Sequence, residues 1–181
     1  GAPARRADVR VRNGVIRRIA PDLAPEPGER VFDASGCHVT PGFIESHTHF
    51  DGTMWWQPDM DPLPGYGVTT TIMGNCGFSA APVHEDPKVR GEMVYIFSFF
   101  EDIPEKPFLK ELPWDWRSWS EYRRSTSRVK TAANFGAFVG HIAIRLAAMG
   151  LAAWERSATP EEIARMADML EAHEGHMVFA R

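Results

Sequence analysis

Apolar and polar residues alternate most cleanly near the start of the chain. Asp8 to Ile19 reads Asp-Val-Arg-Val-Arg-Asn-Gly-Val-Ile-Arg-Arg-Ile, two alternating runs joined by Asn13-Gly14, the dipeptide best suited to a two-residue type I′ turn. The pattern predicts a β-hairpin. Three prolines and a glycine between Pro21 and Gly28 predict a loop, and Arg30 to Phe32 a further short strand. After Pro41-Gly42, the run Phe43 to Phe50 predicts a buried strand ending in polar groups. The β-branched run Val68 to Met73 predicts a second, leading into Gly74-Asn75-Cys76-Gly77. No clear period emerges between Ala80 and Pro113. Pro113 to Trp119 reads as a loop with a helix starting near Ser118, and Phe135 to Ile144 as a third apolar strand containing Gly140-His141. The clearest helix signal is Thr159, with Pro160 at the first helical position, Glu162 completing a capping box, and Ile163, Met166, Ala167 and Leu170 on one face. Gly175 is the predicted stop, and His176 to Phe179 the start of another strand. This order predicts an α/β fold, with βα units around a parallel sheet and a small β-structure in front.

Composition narrows the partners. The 181 residues are 44% hydrophobic and 24% charged, an ordinary balance for a chain with a buried core. Lys plus Arg is 20 and Asp plus Glu is 24, a net charge of −4, so no basic field draws in nucleic acid. No apolar run approaches the roughly 20 residues of a bilayer-spanning helix, and no signal peptide precedes the first structured segment. Neither nucleic acid nor membrane is an expected partner, and cytoplasm is the default compartment, although an N-terminus that reads as cut leaves room for a lost signal. Cys37 and Cys76 show no spacing typical of a disulfide framework and are expected to be reduced.

His47 and His49 are two residues apart, and on a strand such residues project to one face, where both imidazoles can meet one ion. Taken alone, His-x-His is as compatible with two surface or core histidines. Cys76 as a thiolate would favour zinc over magnesium; the alternative is a small buried apolar side chain.

Val39-Thr40-Pro41-Gly42-Phe43-Ile44-Glu45-Ser46-His47-Thr48-His49, approached through Phe32-Asp33-Ala34-Ser35-Gly36, resembles the first barrel strand of the amidohydrolase superfamily. Gly67-Val68-Thr69-Thr70 with Gly74-Asn75-Cys76-Gly77-Phe78-Ser79 resembles the second strand of its N-acyl-D-amino-acid deacylases, the D-aminoacylases among them. Segments at Glu101-Asp102-Ile103-Pro104, Pro113-Trp114-Asp115-Trp116, Glu121-Tyr122 and Gly140-His141-Ile142-Ala143-Ile144-Arg145 follow in the same order. The resemblance weakens from Glu174 to Phe179.

The resemblance implies a partial (β/α)₈, TIM-like metal-dependent hydrolase barrel in residues 41–181, strands one to about four, preceded by part of a small β-sandwich in residues 1–40. It implies Zn²⁺ held by His47, His49 and Cys76, and hydrolysis of the amide of a small-molecule N-acyl-D-amino acid to a carboxylic acid and a D-amino acid. Glu45 stands where the family usually has Asp; its side chain is expected to point away from the histidines, affecting packing and not metal. His141, at the end of the third strand, touches substrate or the metal site, or is a satisfied core histidine. Arg145 pairs with a substrate carboxylate or sits in a surface salt bridge. Glu101 and Asp102 read equally well as a solvated loop, and His38, His84, His173 and His176 as structural or exposed. Two further ligand histidines and a general-base aspartate are expected beyond residue 181, so the chain reads as the front of a longer enzyme, inactive alone and prone to self-association through an open barrel edge. The competing readings are a sister amidohydrolase opening a cyclic amide, as dihydroorotases and hydantoinases do, and a non-catalytic zinc-binding module.

Overall fold

The computed structural model describes residues 3–172 and the backbone of 177–180, in two compact units, Gly1–Thr40 and Pro41–Arg181. Gly175, His173 and His176 lie outside the described residues.

In the first unit, β1 (Asp8–Arg12) and β2 (Val15–Ala20) form an antiparallel hairpin. Asn13 and Gly14 take φ of 53° and 70°, the left-handed pair a type I′ turn requires. One extra residue in β2 separates the pairs Arg10↔Arg18 and Val11↔Ile16, a bulge that adds twist. The loop after β2 is clipped to the hairpin by charge: Arg10 meets Glu26 at 2.8 Å and Glu29 at 2.9 Å, and Arg12 meets Glu26 at 2.6 Å. The strand expected at Arg30 to Phe32 is absent. Those residues are irregular and exposed, because an extended segment becomes a strand only where a neighbour completes its ladder.

The second unit is a four-stranded sheet in the order β3 (Phe43–Thr48), β4 (Val68–Met73), β5 (Asn134–Phe138), β6 (Met177–Ala180), with helices between. β3, β4 and β5 are parallel neighbours. Two expectations are corrected here. β3 is not buried: it is an edge strand, and Phe43 and Ile44 are largely exposed. β6 is not parallel to the rest but antiparallel to β5. The reason is the connection. One helix returns a chain to the end of the sheet where the next parallel strand starts, whereas here two, α5 (His141–Met149) and α6 (Pro160–Glu171), intervene and bring it back to the end it left.

Three more helices lie between the strands: α2 (Pro87–Glu101), α3 (Glu105–Glu111) and α4 (Trp119–Thr126), with a single turn, α1 (Phe50–Thr53), after β3. The stretch from Ala80 to Pro113, which shows no period, thus holds two helices. Asp86 caps α2 by accepting from the Lys88 N–H, with Pro87 at the first position; Tyr95, Phe99 and Phe100 on its exposed side hide the buried stripe of Val89, Met93, Ile96 and Phe97. α4 and α6 begin with complete capping boxes, Ser118 with Glu121 and Thr159 with Glu162. The apolar face of α6 is nevertheless open, with Ile163 and Leu170 exposed.

The third strand ends sooner than its apolar run. β5 stops at Phe138, Gly140 caps a helix, and His141 to Ile144 form the first turn of α5. An apolar run alone does not distinguish strand from helix.

The core is aromatic. Phe97, Phe108, Trp116 and Trp119 are fully buried; Phe97 and Phe108 ring centroids lie 5.1 Å apart, and Trp116 and Tyr122 5.0 Å in an edge-to-face pair. Trp116 Nε1 donates to the Ala80 carbonyl at 2.8 Å, which ties this core to the loop after β4.

Candidate metal centre

β3 and β4 run parallel, so their C-terminal ends lie side by side, and the chain leaves both through short turns at that end. His47 is the penultimate residue of β3, His49 follows its end, and Cys76 lies in the loop just beyond β4. Between the histidines, Thr48 faces inward: its hydroxyl meets that of Thr71 at 2.7 Å and donates to the Ile72 carbonyl at 3.3 Å. β3 carries one extra residue between the pairs Glu45↔Thr71 and Thr48↔Met73, a bulge that breaks the alternation at Ser46-His47 and re-aims the side chains there.

The loop Gly74-Asn75-Cys76-Gly77 is fixed by backbone contacts. At Gly74 φ is 76°, and a Cβ there would collide with the Phe138 carbonyl, so only glycine lets the turn pass so close to β5. Gly140 abuts the Gly77 backbone in the same way, while Ile142 N–H donates to the Gly77 carbonyl at 3.0 Å. Asn75 Nδ2 donates to the Ser46 carbonyl at 3.0 Å and pins the loop beside His47. Sequence reasoning offered no role for this asparagine; the structure shows that it positions the cysteine next to it.

The outcome is a cluster. The three ligand atoms of His47, His49 and Cys76 lie within 4.8 Å of one another. Cys76 Sγ is 3.7 Å from His49 Nε2; a sulfur and an imidazole nitrogen on one tetrahedral zinc ion, bonded at about 2.3 and 2.0–2.1 Å, stand about 3.6 Å apart. The donor set and its spacing therefore fit a divalent ion. Burial holds His49 below the usual imidazole range, Glu101 opposing and His47 adding to the shift, which favours the neutral ring that a metal needs. Its ring packs against Phe78 and Phe97, at centroid distances of 5.8 and 5.9 Å. Both cysteines are free thiols.

Two acidic residues stand beside the cluster: Asp51, which the sequence reading passed over, and Glu101, which it read as part of a resembling segment or a solvated loop. Glu101 is no loop residue: it ends α2 and brings Oε1 to 3.3 Å from His49 Nε2. Asp51, two residues past His49, is fully buried; burial raises it to about 7 against the backbone groups of Asp51 and Ala80, and neither carboxylate oxygen makes a hydrogen bond of ordinary geometry. Tyr122 donates to its main-chain carbonyl at 2.8 Å. The signal for Asp51 was its place in His47-Thr48-His49-Phe50-Asp51; Glu101 stood in the resembling segment Glu101-Asp102-Ile103-Pro104, but nothing in that segment placed it against His49 on a distant strand.

The other predicted positions lie elsewhere. Glu45 Oε1 accepts from the His47 backbone N–H at 3.1 Å, and Glu45 stays outside the donor cluster. His141 is exposed at the start of α5 and is not one of the clustered ligands. Arg145 is occupied by carbonyls, of Ala153 at 3.1 Å and Arg156 at 2.5 Å. His141 and Arg145 line a shallow open depression of about 560 Å³ with Trp154, Arg156, Ile163 and Met166, and none of the three clustered donors reaches it. His84 accepts the Asp86 N–H ahead of α2, a structural use.

Comparison with known proteins accords with this arrangement. A sequence model of the group described as Amidohydrolase family matches residues 30–178. The N-acyl-D-aspartate deacylase of Alcaligenes xylosoxydans xylosoxydans is 35% identical over 94% of this chain and 31% of its own length, and the D-aminoacylase of the same organism 36% identical over 93% and 32%. In three dimensions, the crystal structure of N-acyl-D-glutamate deacylase from Bordetella bronchiseptica, complexed with zinc and a phosphonate mimic of the tetrahedral intermediate, matches with a TM-score of 0.72 and 35% identity over 94% of this chain and 32% of that one. The chain thus spans about a third of the length of the relatives it matches. On the family match and the strand-end cluster together, the chain belongs to the amidohydrolase family.

Proposed function

We propose that the protein containing this chain hydrolyses the amide bond of small-molecule N-acyl-D-amino acids, with zinc as its metal, and that residues 41–181 supply the first strands of a (β/α)₈ barrel. Residues 1–40 are then part of the accompanying β-sandwich. The observation that carries the reading is the convergence of His47, His49 and Cys76 at the ends of two adjacent parallel strands, the end at which barrel enzymes keep their chemistry.

When bound, zinc supplies Lewis acidity toward the scissile carbonyl and activates water. This chain's own part is to present two neutral imidazoles and a thiolate in fixed geometry. Thr48 and Thr71 lock the strand between the histidines, Asn75 holds the cysteine loop, and Phe78 and Phe97 wall one side of His49 against water. In this reading the chain's three clustered donors hold the metal and none of them is the proton acceptor. The open edge at β3 favours self-association of the chain. The reading assigns His141 and Arg145 no contact with the metal and places the protein in the cytoplasm.

The test is an assay of the complete, zinc-loaded protein on paired N-acetyl-D- and N-acetyl-L-amino acids. Turnover of the D-isomer with the L-isomer largely spared is expected, together with loss of bound zinc in Cys76→Ala. Equal turnover of both isomers, or turnover of a cyclic amide alone, moves the assignment to a sister amidohydrolase; zinc binding without turnover of any amide leaves a metal-binding module.

A further inference from the structure

We infer that Ser79 is a positioning residue of the metal centre: its buried hydroxyl ties the loop after β4 to the start of α5 and so holds Cys76, and through Phe78 also His49, in place. The inference rests on the metal reading above and adds a residue that acts on the ion only through its ligands.

The first ground is how α5 begins. The leading N–H groups of a helix have no partner within it and are ordinarily met by a capping side chain. Gly140, the cap of α5, has none to offer. The loop that carries Cys76 stands in for it. Ser79 Oγ accepts from the Gly140 N–H at 2.9 Å, and the Gly77 carbonyl accepts from the Ile142 N–H at 3.0 Å. Between these two bonds the backbones touch, so that a Cβ on Gly140 would stand 2.5 Å from the Gly77 carbonyl oxygen. Helix start and ligand loop are one joint.

The second ground is Ser79 itself. Its side chain is buried, and its single hydroxyl accepts from Gly140 while donating to the Ala81 carbonyl at 2.5 Å. One proton and one lone pair are thus both committed. Ala81 and Gly140 are buried as well, so alanine at position 79 takes from a buried N–H and a buried carbonyl the partner they have here.

The third ground is what the joint holds. Cys76 directly precedes Gly77. Phe78 lies between the two residues that bond α5, and its ring packs on His49 at a centroid distance of 5.8 Å and on Phe97 at 6.2 Å. A metal-bound imidazole is ordinarily oriented by a hydrogen bond from its second nitrogen. His49 presents Nε2 to Cys76, and its Nδ1 is buried with no acceptor among the described residues. Packing orients the ring instead, and Phe78 supplies part of it. A slackened joint therefore displaces a sulfur and a nitrogen donor together.

Cobalt(II) bound to the complete protein tests this, since a thiolate-to-cobalt charge-transfer band reports the bond to Cys76 independently of turnover. Ser79→Ala is expected to weaken and shift that band and to raise the cobalt dissociation constant, measured against a competing chelator well below the unfolding midpoint, by about 10-fold or more. Thr126→Val is the comparison. It removes another buried hydroxyl, one that donates to the Arg123 carbonyl within α4, and is expected to lower the unfolding midpoint while leaving band and affinity unchanged. Amide hydrogen exchange on wild type depends on no variant folding: zinc loading is expected to slow exchange at Gly140 and Ile142, because a coupling between ligands and joint runs both ways. Ser79→Ala with the band and affinity of wild type, equal weakening of cobalt binding in both variants, or exchange at Gly140 and Ile142 that ignores zinc overturns Ser79 as a positioning residue and leaves the three-donor site standing. Failure of wild type to bind cobalt overturns the metal reading with it.

Discussion

The two units of this chain are stabilised by opposite means. In Gly1–Thr40 the hairpin leaves Val11, Val15 and Ile16 at 58%, 49% and 60% exposure, and order comes from arginines 10 and 12 reaching glutamates 26 and 29. In Pro41–Arg181, Trp116, Trp119, Phe97 and Phe108 are buried to within 2% of completely. A lone two-stranded hairpin is marginal in water, and exposed ion pairs stabilise it little, whereas packed aromatic rings hold their neighbours to fractions of an ångström. Metal ligands need the second kind of support. His49 rests on Phe97, which rests on Phe108, and the loop bearing Cys76 leads into Ala80, whose carbonyl takes the Trp116 indole.

The sharpest way to break this contrast is Trp116→Ala. Removing a fully buried indole is expected to cost about 3–5 kcal/mol in denaturant unfolding, through lost transfer energy and the cavity left behind. The Ala80 carbonyl loses its donor as well. Metal affinity should fall with stability, because the loop carrying Cys76 is released. A loss below about 1 kcal/mol, with the affinity unchanged, would mean that the aromatic core does not support the ligands.

A smaller effect is expected at Glu162, among the described residues of the second unit the one ion-paired acid that is nearly covered, its side chain 10% exposed. Hydrogen bonds from the Arg156 guanidinium, and then from the Thr159 N–H, lower its carboxyl to about 2. A folded-state value below the ordinary 4.5 means that the ionised form stabilises the fold. That contribution is complete above about pH 4.5 and is lost as pH falls toward 2. Wild type should therefore exceed Glu162→Gln in thermal midpoint at neutral pH, and the gap should close across that window. A gap that stays constant down to pH 2 would assign the effect to packing at the start of α6.

How far all this could be read from sequence depends on how local each determinant is. Asn13-Gly14, Ser118 with Glu121, and Thr159-Pro160 with Glu162 encode their structures within four residues, and each forms as written. The trio His47, His49 and Cys76 was legible from side-chain chemistry and resemblance, and the structure brings it together. What escaped was set by distant partners or by ambiguous apolar runs. α2 was hidden because Tyr95, Phe99 and Phe100 face outward, although Asp86-Pro87 marked its start. His141 moved from a strand end to a helix start because Gly140 closes against Gly77, a contact no local pattern records. Glu101 meets His49 only because α2 ends beside β3, and the antiparallel β6 follows from the number of helices before it.

The first unit supplies the smallest expected effect. Arg12→Gln removes the contacts of Arg12 with Glu26 at 2.6 Å and Glu29 at 3.4 Å. These look strong by distance, and they raise the arginine and help lower Glu29. Distance is a poor guide here. Both Arg12 and Glu26 are about half exposed, at 56% and 48%, so water and salt screen the attraction, and ordering two long side chains opposes it. Arg10 also stays in place, meeting the same two glutamates from a less exposed position. The unfolding midpoint of Arg12→Gln should coincide with wild type at 0.15 M salt and separate from it only at low ionic strength. A clear loss that persists in high salt would show that this ion-paired unit is held together as firmly as the aromatic one, and the contrast between the two would fail.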